Sequence, residues 1–280
     1  MDPRFAAAAC AGIDEARLDM ELGFSGKCAL ITGASRGIGF ATAERFAEEG
    51  IRTLHLAARS EEGLEKARRR ITEAFGTEVE VHALDLSRTE NVLRLAGECS
   101  HLDILVNNAA DSKPGPLDQL TDQDWRDSLD MKIFSYMTLT REVYAQMKKR
   151  GTGVIINDIG NSGENWDANY IVGTTGNAAM MAFTRALGGR SLDEGIRVIG
   201  VNPGPVSTDR MIKLMKRRAL DWYNDESRWA ELFDKYPAKR AATPFEVADL
   251  IVWLASERAG YITGTIVTID GGIASRRSII

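Results

Sequence analysis

Cysteine and histidine are scarce in this chain of 280 residues, three of each, and neither recurs at the short spacings of disulfide frameworks or zinc ligands. Cys10, Cys28 and Cys99 stand far apart, and His55, His82 and His101 read as scattered. The expectation is therefore no structural metal and a reducing, cytoplasmic setting. Proline is sparse too, and no Pro- or Ser-rich tract divides the chain after its first two dozen residues, which leaves one domain as the expectation. No apolar run reaches the roughly 18 to 20 residues of a membrane helix, so no membrane partner is expected. Nor is positive charge in excess: the formal net charge is -5, the wrong sign for a surface that must neutralise the phosphates of a nucleic acid.

What is present is the balance of a globular protein able to bury one large core, with 44% hydrophobic and 27% charged residues. The opening stretch MDPRFAAAACAGIDEARLDMELGF lacks the basic start of a secretory signal. Residues 1–24 read as an arm, poorly ordered or touching a partner, ahead of a domain at 25–280. From residue 27 onward strand-like runs alternate with helical patterns: CALITG, GIGFATAERFAEEG, RTLHLAAR, EEGLEKARRRITEAFG, then VEVHALD, LDILVNNA, GVIINDI, IRVIGVN and GTIVTID with helical stretches between most of them. About seven strands joined mainly by helices predict an α/β fold, a single-domain doubly wound parallel sheet of Rossmann type with helices on both faces. Right-handed crossovers place every strand C-terminus, and so the ligands, along one edge.

The first strand runs into TGASRGIG, Thr32 to Gly39. Glycines at 33, 37 and 39 let the backbone turn sharply, approach a pyrophosphate and aim the amides of the next helix at its charge. At the end of the second strand, LAARS puts Ala57 and Ala58 where a carboxylate would hold ribose hydroxyls. Arg59 follows and Arg36 lies inside the glycine turn, and two guanidinium groups suit a 2'-phosphate. NADP(H) is thus preferred over NAD(H). The alternative is an Arg59 paired with Glu61 or Glu62 on the surface, which leaves the choice open.

The spacing T-G-x-x-x-G-x-G, with Asp85 in ALDLS, NNAA at 107–110, Tyr170, and VNPGPVST at 201–208, resembles the short-chain dehydrogenase/reductase family over residues 26–273. The resemblance implies that Thr32, Gly33, Ser35, Arg36, Gly37, Ile38 and Gly39 form the phosphate turn, with Arg59 beside it. It places Asp85 and Leu86 at the adenine, Asn107, Asn108 and Ala109 along the adenosine half, and Pro203, Gly204, Val206 and Thr208 on the nicotinamide side. It further implies a small-molecule carbonyl or alcohol substrate, a substrate lid at about 208–243, and a homodimer or homotetramer built on the helices at 122–150 and 173–190.

Hydride transfer to a carbonyl needs a proton donor, and the resemblance assigns that role to Tyr170. A free tyrosine has a pKa near 10, so it serves at neutral pH only beside a charge that favours its phenolate. An ammonium at roughly 4 Å and an effective dielectric near 20 contributes about 4 kcal/mol, or about three pKa units. The family carries that lysine four positions after the tyrosine, where this chain has Thr174. Aligning GVIINDIGNSG on Gly163 puts Gly160 at the family's serine, leaving Ser162, or Asn161 beside it, as the candidate donor to the substrate carbonyl. In DWRDSLDMKIFSYMTLT, Lys132 stands where the family carries an asparagine, and the paired exchange suggests that Lys132 brings the missing ammonium from the adjacent helix. The alternative is a surface Lys132 paired with Asp127 or Asp130. Three outcomes stay open: an oxidoreductase with a rebuilt site, a nucleotide-binding sensor or scaffold, and a lyase or isomerase. In the lid, Met211, Met215, Trp222, Trp229 and Phe233 either line a pocket or form lid core, and Lys213, Lys216, Arg217 and Arg218 either face solvent or receive an anionic group.

Overall fold

Seven strands form one sheet in the order β3-β2-β1-β4-β5-β6-β7, every neighbouring pair parallel. In the computed structural model, which describes residues 21–276 except the side chain at 210, these are β1 (Cys28–Thr32), β2 (Thr53–Ala58), β3 (Glu78–Ala83), β4 (Ile104–Asn107), β5 (Gly153–Asp158), β6 (Ile196–Pro203) and β7 (Ile266–Ile269). The helices are α1 (Gly37–Glu48), α2 (Glu61–Phe75), α3 (Thr89–Glu98), α4 (Asp122–Leu129), α5 (Ser135–Arg150), α6 (Ile171–Ser191), α7 (Asp209–Tyr223) and α8 (Pro244–Ala255). The doubly wound α/β reading of the sequence holds.

Strands β1, β2, β4 and β6 are buried along their whole length, which is why they read as mainly apolar runs: helices cover both faces. One face packs Ile31, Phe46, Leu54, Leu56, Leu64 and Ile251 beneath α1, α2 and α8. The other packs Leu30, Leu95, Leu105, Val143 and Ile155 beneath α3 and α5. Strand β3 forms an edge, and its EVEVHA sequence, exposed or half-buried throughout, carries the charge that edges need against unwanted pairing.

The expected N-terminal arm, 1–24, lies outside the described residues up to position 20, and its end is corrected by the fold. Phe24 is 1% exposed and stacks edge-on against Phe46 at 5.1 Å, while Leu22 packs on the same core. Residues 21–24 therefore belong to the domain, because burying an aromatic ring and its neighbour outweighs the entropy of ordering a short segment.

Two features position the site. The chain reverses direction across the sheet at β1, whose neighbours are β2 and β4, and this opens a crevice beyond their C-terminal ends. Beside the crevice stands the segment expected to form a lid, α7 followed by a 3-10 segment Glu226–Lys235. The lid has its own small core of Met215, Ala219, Leu232, Phe233 and Ala241, with Trp229 and Tyr236 set edge-on to Phe233.

Candidate active site

A cleft of about 1130 Å³ runs along the C-terminal edge of the sheet. The glycine-rich turn forms one end. Thr32 closes β1, and its Oγ1 accepts the backbone N–H of Asn108 and of Ala109, each at 2.9 Å; Asn108 Nδ2 returns a bond to Thr32 O at 2.7 Å. The ends of β1 and β4 are thereby stitched together across the crevice. Gly33 has φ +70°, and a Cβ there or at Gly39 would lie 2.6 Å from Asn108 Nδ2. No side chain fits at either position, so the turn packs against the strand end as a bare backbone cradle.

Gly33, Ser35, Arg36, Gly37, Ile38, Arg59, Leu86, Asn108 and Ala109 line the cleft, as do Pro203, Gly204, Val206 and Thr208. Four residues from the same motifs do not. Thr32 and Gly39 lie behind the turn and shape it. Asp85 turns its carboxylate to Ser87, accepting from its N–H at 3.0 Å and its hydroxyl at 2.8 Å. Asn107 is buried, its Nδ2 donating to Thr140 Oγ1 at 3.0 Å and to Asn157 Oδ1 at 2.9 Å. All four hold the cleft's walls in place. Arg59 pairs with neither Glu61 nor Glu62; its partner is Asp111 at 3.1 Å, an exposed pair that costs little to open.

Tyr170 is the N-cap of α6, and its ring lies over the first turn, where a Cβ on Gly173 would meet ring atoms at 2.1 Å. Gly173 is thus the residue that makes room for the phenol. Tyr170 lines the cleft and Thr174 does not. Lys132 sits in a π-helical segment, Asp130–Phe134, between α4 and α5, a wide turn of the kind found at functional sites. It is 4% exposed, and its Nζ donates to the carbonyls of Asp158 at 2.8 Å and Ile159 at 2.9 Å. The surface pairing with Asp127 or Asp130 is overturned: Lys132 points inward and opens on the same cleft as Tyr170.

Ser162 also lines the cleft, its Oγ accepting a bond from Asn177 Nδ2 at 2.8 Å. Gly160, at the place of the family's serine, has φ +118°, and a Cβ there would come within 2.9 Å of the same Asn177 amide. Asn177 thus takes up the space of that side chain and supports the hydroxyl two positions on. Sequence reasoning missed Asn177 and also Asp158, whose carboxyl is pushed up to about 6 by burial, the Lys132 ammonium opposing the shift.

That displacement sets a sign. The folded value lies above the unfolded 3.8, so this carboxyl supports the fold fully only below about pH 4, and the support is lost as pH rises through about 6. Asp158→Asn is therefore expected to gain on the order of 3 kcal/mol relative to the parent protein between about pH 4 and pH 8. Thermal melts of both proteins across that range check it; a difference that stays constant with pH rejects the assignment. Asp124 and Glu246, held down to about 2 chiefly by hydrogen bonds from Lys113 and Arg240, act in the opposite sense but cancel in the comparison.

The far end of the cleft is lined from α7 by Met211, Leu214, Met215 and Arg218, together with Tyr236. Trp222, at 65% exposure, faces solvent, and Trp229 and Phe233 pack within the lid. Of the basic run Arg218 alone lines the cleft, while Arg217 pairs with Asp221 at 3.1 Å.

The sequence profile of short chain dehydrogenases matches residues 27–219. The 3-oxoacyl-(acyl-carrier-protein) reductase of Escherichia coli is 34% identical over 256 residues, covering 90% of this chain and 99% of the relative. Among solved structures, L-sorbose reductase from Gluconobacter frateurii, complexed with NADPH and L-sorbose, superposes with a TM-score of 0.86 at 33% identity, covering 91% of this chain and 99% of that one. A 7α-hydroxysteroid dehydrogenase complexed with NADH superposes with a TM-score of 0.79 at 27% identity, covering 90% and 96%.

Proposed function

Because this chain belongs to the short-chain dehydrogenase family, we propose that it is an NADP(H)-dependent oxidoreductase that interconverts a small-molecule carbonyl and the corresponding alcohol, with Tyr170 handling the proton. The observation that carries this reading is one cleft whose lining includes the glycine turn with Arg36 and Arg59 as well as Tyr170, Lys132 and Ser162. A sensor or scaffold would have no use for a phenol, a buried ammonium and a supported hydroxyl facing the same space.

The residues fit a phosphorylated dinucleotide. The turn offers backbone amides with no room for side chains, and Ala57 and Ala58 leave the end of β2 without a carboxylate. The similar proteins were solved with NADPH in one case and NADH in another, so the preference rests on the two arginines. When bound, the nicotinamide supplies or takes up a hydride. The chain's own work is the rest. Tyr170 Oη gives its proton to the oxygen of the carbonyl as that oxygen becomes an alkoxide, and takes one back in the other direction. Ser162, its oxygen already accepting from Asn177, keeps its own O–H for the substrate oxygen. Lys132, fixed by two carbonyls on the cleft that Tyr170 also lines, is the cation this reading assigns to the phenolate.

Fluorescence titration with NADPH and NADH tests the cofactor half. NADPH is expected to bind at least tenfold more tightly, and Arg59→Ala to weaken NADPH by about 10- to 100-fold while NADH changes little, since a charge-assisted bond to phosphate contributes about 1.5–3 kcal/mol. Equal weakening of both nucleotides would sink the 2'-phosphate assignment. Oxidation of NADPH against a panel of ketones and aldehydes tests the chemistry.

A further inference from the structure

Outside the cleft, on the sheet face covered by α3, side chains far apart in sequence converge. In the β2–β3 register His55 lies opposite Glu80 and Ala57 opposite His82, so both histidines project from one face as diagonal neighbours. Cys99, the C-cap of α3, comes down on them. His55 Nδ1 lies 3.1 Å from His82 Nε2, which lies 3.7 Å from Cys99 Sγ, and one ligand atom from each of the three falls within 4.8 Å of the others. Two of the three histidines that read as scattered are therefore adjacent.

We infer that His55 Nδ1, His82 Nε2 and Cys99 Sγ form a site for a divalent transition metal of the zinc class, with the Glu80 carboxylate closing a fourth position. Tetrahedral zinc with Zn–N of about 2.0–2.1 Å and Zn–S of about 2.3 Å sets N···N near 3.3 Å and N···S near 3.6 Å. The contacts at 3.1 and 3.7 Å stand close to those values already, and the remaining pair, within 4.8 Å, closes by about 1 Å when the ion binds. Glu80 Oε2 is 3.4 Å from His55 Nδ1, the same atom that faces His82 Nε2. Behind the cluster, Glu98 Oε2 lies 3.1 Å from His82 Nδ1. A carboxylate there draws the ring proton to Nδ1 and leaves the Nε2 lone pair aimed at the centre, the orientation a metal ligand requires. Imidazole and thiolate donors select zinc-like ions over magnesium or calcium. Four protein ligands make the site structural, and its effect is to tie edge strand β3 and strand β2 to α3. The half-exposed Glu80 carboxylate marks the way in, while both histidine side chains are only 10% exposed. Cys99 binds as the thiolate and releases its proton to solvent.

The test uses the full chain carrying Cys10→Ser, stripped with chelator and titrated with Co²⁺ alone, then with Zn²⁺ against a chromophoric competitor. The expected result is one equivalent per chain with a near-ultraviolet thiolate-to-cobalt band that Zn²⁺ abolishes. Cys99→Ala should lose the band, His82→Gln should lose stoichiometric binding, His101→Gln should change neither, and Glu98→Gln should weaken Zn²⁺ by about 10- to 100-fold. Free Zn²⁺ at a hundred times its Kd should raise the melting temperature by about 5–10 °C. Absence of stoichiometric uptake at micromolar metal overturns the inference, as does a Co²⁺ complex without the thiolate band. Uptake unchanged in His82→Gln does the same, and that variant decides the matter should Cys99→Ala fail to fold.

Discussion

Tyr170→Phe is expected to lower kcat by about 10²- to 10⁴-fold, the usual contribution of a positioned proton donor, while NADPH affinity stays within about twofold. The two readouts separate because of where the ring lies. Tyr170 covers the Gly173 turn of α6 and lines the cleft, whereas the groups proposed to hold phosphates stand at the ends of β1 and β2 and the start of α1. Removing one oxygen keeps the ring's packing and takes away only its proton. Single-turnover reduction of a ketone by enzyme-bound NADPH is the measurement. A variant that turns over at the parent rate would show that the proton comes from elsewhere, with Ser162 or water the next suspects.

Lys132→Met should cost about 10²- to 10³-fold in kcat. An ammonium stabilising a forming phenolate contributes about 3–4 kcal/mol at an effective dielectric near 20, and methionine keeps a buried side chain of similar length while removing the charge. Loss of packing alone would appear in the melting temperature and in NADPH binding, so both are followed beside kcat. A sharper version pairs Lys132→Asn with Thr174→Lys, which returns the ammonium to the family's usual position. The double variant should recover at least tenfold over Lys132→Asn alone. Full activity in Lys132→Met would remove the residue from the mechanism and leave the site without a cation for Tyr170.

How much of this was readable from residue order depends on the range over which each feature is built. The glycine turn, the strand–helix alternation and Tyr170 ahead of a small-residue helix are written in stretches of a few residues, and the fold follows from them through burial on both sheet faces. The exchange of asparagine for Lys132 was legible as well, because two departures from one pattern pointed the same way and suggested an inward side chain; the Asp158 and Ile159 carbonyls that hold it were not, since they come from the end of a distant strand. Asn177 escaped notice because its meaning lies in the space it denies to Gly160. Asp111 as partner of Arg59, and the meeting of His55, His82 and Cys99, join residues whose proximity is made by strand register, and no local spacing announces it. The boundary at residue 24 was misplaced because one phenylalanine among acids and glycines gives no periodic signal, though its ring is core.

The lid's private core has a consequence for how this scaffold changes over time. Met215, Ala219, Leu232, Phe233 and Ala241 pack mainly on one another and belong to neither sheet-face cluster. An insertion, deletion or wholesale exchange between Asp209 and Ala241 therefore leaves both sheet-face clusters with the neighbours they already have. Mutations can accumulate there with little effect on the packing of the sheet, and under the proposed function they would change the substrate end while the nucleotide end is inherited intact. Evolution can revise the two halves of the reaction on separate schedules.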